Sequence, residues 1–258
     1  MKPGIAVALN NLGLVAQYQG DYTRAVALHQ DCLALRREMQ DTVGIALALG
    51  NLGLLARDEG DAERAAALHH ESLAFRRELG DRVGEALALN NLGLVAGDQG
   101  DYERADAFFG DSLALRRELG DRNGMATTFS DWADTARYQG NYERAVDLYR
   151  ESIELCQTLG YENVKSVVSS YLDGMAAIAA AQGQSGRSAR LWGAAEALRS
   201  ASGMPLAPVD RVRYQRDVAA ACISSGREAF DEEWAAGRAL PQEDAIADAI
   251  ALSRQLSQ

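Results

Sequence analysis

Asn91-Leu92-Gly93-Leu94-Val95-Ala96-Gly97-Asp98-Gln99-Gly100-Asp101-Tyr102-Glu103-Arg104-Ala105 is one copy of a word that this chain writes four times. Its marks return every 40 residues at Gly20, Gly60, Gly100 and Gly140. Each glycine is followed by Asp21, Asp61, Asp101 or Asn141, then by Arg24-Ala25, Arg64-Ala65, Arg104-Ala105 or Arg144-Ala145, and then by Leu33, Leu73, Leu113 or Ile153. A period of this length marks an array of stacked supersecondary units. Such arrays generally offer a long concave surface, which points to binding before catalysis.

Within one copy the spacing defines two helices. Leu89, Leu92, Gly93 and Ala96 fall on a single helical stripe and make an A helix. Gly100 suits a left-handed C-terminal cap and Asp101 an N-cap, so Gly-Asp is a helix-to-helix corner. The B helix that follows carries Tyr102, Ala105, Phe109, Ser112 and Leu113 on one stripe and Arg116-Arg117 in its last turn, where cations complement the helix dipole. Gly93 and Ala105, repeated as Gly13/Ala25 and Gly53/Ala65, are expected to let the two backbones cross closely. In the fourth copy Ala133 replaces the glycine and Trp132 the leucine, which changes the packing locally and leaves the helix pair intact.

The word Asn-Leu-Gly-x6-Gly-Asp-Tyr-x-x-Ala resembles the tetratricopeptide repeat. The 40-residue spacing and the doublets Asn10-Asn11 and Asn90-Asn91 are similar to the long repeats of kinesin light chain and related cell-polarity adaptors. A fifth, degenerate unit follows a three-residue insertion, with Leu172, Met175, Ala176, Ala179 and Gly183 in its A helix and a B helix starting near Ser185. The expected fold is therefore all-α: a right-handed α-α superhelix of about five helix pairs over residues 1–202, with four clear repeats to residue 160 and a degenerate one over 161–202. Residues 203–258 are expected to form a C-terminal helical cap.

Gly203, Pro205 and Pro208 mark the break before that cap. Beyond it, Val209–Ser225, Glu228–Gly237 and Glu243–Leu256 read as helices. The segments Gly193-Ala194-Ala195-Glu196-Ala197-Leu198-Arg199, Glu228-Ala229-Phe230, Trp234, Gly237-Arg238-Ala239-Leu240 and Ala245-Ile246 resemble the C-terminal part of bacterial STAND-type ATPase regulators, often LuxR-type transcription factors. That resemblance implies a regulatory arm that senses an inducer or partner. The sequence departs from the family in having no GxxxxGK[ST] phosphate loop and no recognisable DNA-binding helix-turn-helix, so ATPase and DNA-binding activity do not carry over.

Composition narrows the classes further. A formal charge of −11 argues against direct nucleic-acid binding, which begins with clustered Lys and Arg. Cys32, Cys156 and Cys222 are far apart and read as reduced, buried thiols of a cytoplasmic protein. No apolar run is long enough for a membrane span, and Met1-Lys2-Pro3-Gly4 lacks a signal-peptide core. No nucleophile-base pair or phosphate cradle stands out, so the chain reads as no enzyme and as needing no cofactor. His29 and His69 occupy equivalent positions, but Phe109 and Tyr149 take the same place later. The position therefore reads as aromatic packing and not as a metal site. Arg36-Arg37, Arg76-Arg77 and Arg116-Arg117 are interleaved with acids and read as a solvated, salt-bridged face.

The candidate partner-binding residues lie on the remaining stripe of the A helices, which is expected to line the concave face. They form ladders: Asn11, Asn51, Asn91, Asp131; then Asn10, Gly50, Asn90, Ser130; then Leu14, Leu54, Leu94, Asp134. Regularly spaced carboxamides can pair with the backbone of an extended peptide, and in the resembling adaptors matching asparagines do so. The same asparagines could equally bond neighbouring helices. The fourth copy breaks the ladder with Ser130, Asp131, Asp134, Arg137 and Tyr138, a polar and aromatic cluster suited to specificity. Lys2-Pro3-Gly4-Ile5-Ala6 aligns with Thr42-Val43-Gly44-Ile45-Ala46, so the first repeat reads as uncapped, and an alternative function is assembly through it, with another copy or another domain.

Overall fold

The computed structural model describes residues 2–203, 206 and 208–256; Met1 and Pro205 lie outside the described residues. The described chain is all-α, with thirteen α-helices and one short 3-10 turn. Five helix pairs follow in tandem: α1 Lys2–Tyr18 with α2 Tyr22–Glu38, α3 Thr42–Asp58 with α4 Ala62–Glu78, α5 Arg82–Asp98 with α6 Tyr102–Leu119, α7 Arg122–Tyr138 with α8 Tyr142–Leu159, and α9 Lys165–Ala181 with α10 Ser185–Ser202. Three more helices complete it: α11 Pro208–Ser225, α12 Arg227–Ala239 and α13 Gln242–Leu256. These three lie within two residues of their sequence-based bounds. By contacts the chain falls into two compact units, residues 1–119 and 120–258.

In the first unit every helix after α1 starts on an aspartate. Asp21, Asp41, Asp61, Asp81 and Asp101 each accept from the backbone N–H three residues on, at 2.9 to 3.3 Å, satisfying one of the donors that a helix start leaves open. The corners before them turn through left-handed backbone, at φ 77° for Gly20 and 66° for Gly80. Gln40 does the same at φ 54° without the freedom of glycine.

The small A-helix residues have a different reason from the expected one. A Cβ at Gly13 would lie 2.6 Å from the His29 ring, one at Gly53 2.6 Å from His69, and one at Gly93 2.8 Å from Phe109. The glycines thus make a slot for a B-helix ring and do not bring two backbones together. Both imidazoles are fully buried, so the position packs an aromatic ring as its repeat pattern implies.

A second tie recurs inside each pair. Ser72 and Ser112 donate their hydroxyls to the carbonyls of Ala46 and Ala86, both at 2.8 Å, and the Cys32 thiol reaches the Ala6 carbonyl at 3.3 Å. Each serine hydroxyl also accepts from the following arginine, Arg76 or Arg116, at 3.2 Å. This corrects the solvated reading of the arginine row. Arg76 and Arg116 are buried, and Arg76 Nη1 meets Asp81 at 2.9 Å. The second member of each pair is exposed as expected: Arg37 reaches the exposed Glu71 at 2.7 Å, and Arg77 reaches in to the buried Glu85 at 2.8 Å. The missed signal was register, because the first arginine stands four residues after the buried serine and points inward with it.

The second unit repeats the scheme. Asp121 and Asn141 cap α7 and α8, and Ser152 donates to the Ala126 carbonyl at 2.8 Å. The three-residue insertion is absorbed by Gly160, at φ 80°, and a single 3-10 turn over Tyr161–Asn163. α12 lies directly on α10, since a Cβ at Gly193 would collide with the Trp234 carbonyl and one at Gly237 with the Arg190 carbonyl. Trp234 Nε1 donates to Glu196 at 2.8 Å, and Arg238 approaches Glu196 at 3.6 Å. α13 buries Ala245, Ile246, Ala249 and Leu252 in the core that holds Leu172, Met175 and Trp192. Cys32 and Cys156 are buried as expected, whereas Cys222 on α11 is only half-buried, because that helix sinks little of its length.

Candidate recognition faces

The A-helix stripe of the first unit is partly used up by its own neighbours. Asn51 Nδ2 donates to Asn10 Oδ1 at 2.9 Å, tying α3 to α1. Arg57 of α3 meets Asp98 of α5 at 2.6 Å with both side chains largely covered. Asn90 and Asn91 are buried, Leu14, Leu54 and Leu94 are half-buried, and Asn11 stays exposed. Leu47 and Leu87, one turn earlier, also face out. What remains open on this unit is a row of carboxamide and leucine edges.

Next to it lies an apolar patch. Ile5, Leu12 and Val15 of α1 are 51, 48 and 50% exposed, whereas their repeat equivalents Ile45, Leu52 and Leu55 fall to 7, 3 and 0% against the preceding pair. The first repeat shows solvent the face that later repeats bury.

In the second unit the stripe is polar and already engaged. Tyr149 replaces Phe109 in the ring slot, and its hydroxyl donates to Asp134 Oδ1 at 2.7 Å. Arg137 donates to the same oxygen at 3.0 Å and approaches Asp217 of α11 at 3.6 Å. The guanidiniums of Arg137 and Arg213 each lie 4.3 Å from the Tyr138 ring centre, a favourable cation-π arrangement. Asp173 of α9 pairs with Arg199 of α10. Arg199 in turn donates to the Tyr214 hydroxyl of α11 at 3.3 Å. Ser130 is buried and Asp131 half-buried, the latter's carbonyl accepting from the Thr135 hydroxyl at 3.0 Å.

Burial sets the electrostatics here. Loss of solvent pushes the Asp173 carboxyl up to about 6, against the pull of Arg199. The Tyr138 and Tyr149 phenols are also raised by burial. Burial works against the charge on Arg137, yet its pKa is raised above the ordinary value, with the Asp134 carboxylate beside it. The structure therefore brings Asp134, Arg137 and Tyr138 together, as their spacing implied. It adds Tyr149, Asp173, Arg199, Arg213, Tyr214 and Asp217, which sequence reading missed. Two signals were present: a tyrosine appears in the ring slot in the same repeat where leucine becomes Asp134, and Asp173 falls at the register of Asn90 and Ser130 once the insertion is removed.

Nothing among the described residues groups three metal-binding side chains. No described helix is long and apolar enough to cross a membrane.

Tandem helix pairs with capped corners, ring slots and internal serine ties define an α-helical repeat protein. Family models described as tetratricopeptide repeat match residues 5–39, 44–118 and 85–158, and the chain belongs to the tetratricopeptide repeat family. No curated protein matches the chain. Among solved structures, BtubC (BKLC) from P. vanneervenii is similar at 16% identity and TM-score 0.54, over 90% of this chain and 81% of that one. A Podosopora anserina putative kinesin light chain with nearly identical TPR-like repeats, in its Q17M form, is similar at 14% identity and TM-score 0.56, over 78% of this chain and 98% of that one. These likenesses are of fold. Tetratricopeptide repeats generally act as protein-interaction modules.

Proposed function

We propose that the chain is a non-catalytic protein- or peptide-binding and sensing module, the regulatory arm of a bacterial signalling or transcription regulator working in the cytoplasm. The repeat array over residues 1–202 is the binding part and residues 203–258 its cap. The observation that carries this reading is the A-helix stripe, with Asn11 open, Asn51 half-open and leucines at the turns between. Exposed carboxamides beside apolar edges suit the backbone and side chains of an extended segment. The net charge of −11 supports a partner other than nucleic acid. The regulatory role rests on the resemblance of residues 193–246 to STAND-type regulators. In this structure Gly193, Glu196, Trp234, Gly237 and Arg238 of that segment already serve α10–α12 packing. The test is capture of a partner from source-cell lysate by the native chain and by an Asn11→Ala/Asn51→Ala variant. A partner lost by the variant at unchanged melting temperature supports the reading. Equal capture by both removes the asparagine stripe from it.

A second reading, self-association, is favoured by the exposed face of Ile5, Leu12 and Val15. Light scattering over a wide concentration range tests it. Mass that rises with concentration in the native chain and not in Leu12→Glu supports an interface there, and a monomer throughout removes it.

A further inference from the structure

Helix α11 is joined to the rest of its unit unlike any other helix in it. One turn carries its polar hold, with Arg213 over the Tyr138 ring and Asp217 facing Arg137 of α7 and Tyr214 accepting from Arg199 of α10, while Tyr214, Val218 and Cys222 rest partly buried against the core. Arg213, Tyr214 and Asp217, at i, i+1 and i+4, share one side of the helix. Of its 18 residues only Ala221 is buried, whereas α7 and α9 each sink a broad apolar stripe. Apolar burial is what makes helix docking durable, and α11 has little of it.

The other side of α11 is open too. Val212 and Ile223 are 70 and 84% exposed, and a cavity of 630 Å³ separates the Val218-Cys222 side of α11 from Phe230 and Trp234 of α12. α11 ends at the left-handed Gly226, at φ 81°, and beyond it α12 is locked on α10 at Gly193 and Gly237. The surface beneath is incompletely served: Asp173 Oδ1 and Arg137 Nε are buried there without a hydrogen-bond partner, and so is Ser130 Oγ earlier on α7. Buried polar groups ordinarily find partners, so this face has bonding capacity that α11 leaves unused.

We propose that α11 is a displaceable strap, filling in cis a recognition face on α7 and α9 that takes a partner helix bearing the same arginine-tyrosine-x-x-aspartate pattern. This deepens the function proposed above and rests on its premise that the A-helix face binds protein segments. It locates specificity at Asp134, Arg137, Tyr138 and Asp173. A partner helix that also reaches Ser130 and the free oxygen of Asp173 outcompetes the strap, despite the strap's advantage of being tethered.

Two measurements on the full chain test this. The first is amide hydrogen exchange, in which α11 is expected to exchange about a hundredfold faster than α9 and α10. Equal protection of the three helices overturns the proposal. The second uses a fluorescein-labelled, helix-stapled peptide of residues 208–225, followed by anisotropy. It is expected to bind an Arg213→Ala/Asp217→Ala chain about tenfold or more tightly than the native chain. A peptide carrying the same two alanines is expected to bind neither. Equal binding to both chains, or none, overturns the strap. A lysate partner that depends on Asn51 beside a protected α11 would refute the strap and leave the proposed function standing. Peptide exchange with no asparagine-dependent partner would do the reverse.

Discussion

His29 and His69 are imidazoles held in slots cut by Gly13 and Gly53, with neither ring nitrogen hydrogen-bonded. For His69, burial is the main cause and Arg57, Arg76 and His70 assist in lowering the pKa to about 4. The folded state then binds fewer protons than the unfolded chain between about pH 4 and 6.5. Its contribution to stability is complete above 6.5 and is lost as pH falls through that window, on the order of 3 kcal/mol at the acid end. His69→Phe, which copies Phe109, is expected to raise the melting temperature at pH 5 more than at pH 7.5, as scanning calorimetry would show. An equal rise at both values would mean that His69 is not neutral when folded. Gln40 holds left-handed backbone where Gly80 and Gly120 stand in later repeats. Gln40→Gly is expected to stabilise by about 1 kcal/mol, read from urea midpoints. The ring slot was legible in the sequence because four copies of one position can be compared. The Tyr149 to Asp134 bond was not, because it occurs once and joins two residues that each look like drift.

Within a helix pair, corners and caps follow from the Gly-Asp words alone, since both the left-handed turn and the open N–H groups are local demands. The serine tie is a longer-range fact, a donor meeting a carbonyl 26 residues earlier, and a stripe of apolar positions gives no hint of it. Ser72→Ala is expected to cost about 1 kcal/mol, because it removes a buried hydrogen bond between the two helices and takes an acceptor from Arg76. Ser72→Cys, which copies Cys32, should recover part of that loss. If urea unfolding shows no deficit in Ser72→Ala, the tie is incidental. The inward turn of Arg76 and Arg116 escaped notice for the same reason: charge patterning ranks them as surface, while their register beside the serine makes them core.

Across the whole chain the number and order of helices could be read from periodicity, including the degenerate fifth pair and the three helices after it. Where α11 rests could not, because its anchors are single side chains meeting residues some 75 positions away, Tyr138 with Arg213 and Arg137 with Asp217. Stability in a repeat array is close to a sum of unit and neighbour terms. A chain beginning at Asp41 is therefore expected to keep its helicity per residue by circular dichroism and to lose only part of its melting temperature. Collapse of the remaining helices would show that the first pair nucleates the rest. The serine tie has one more consequence. Donor and acceptor belong to the same 40 residues, so each pair that has the tie brings its own fastening, to which apolar contact and polar bridges such as Arg76 to Asp81 add the hold on its neighbours. A copy of residues 41–80 spliced in after residue 80 would meet residues 81–120 as the original does, and on its other side the repeat equivalent of the surface that residues 1–40 present. The array can thus be lengthened by simple duplication, its reach set by how many copies are present.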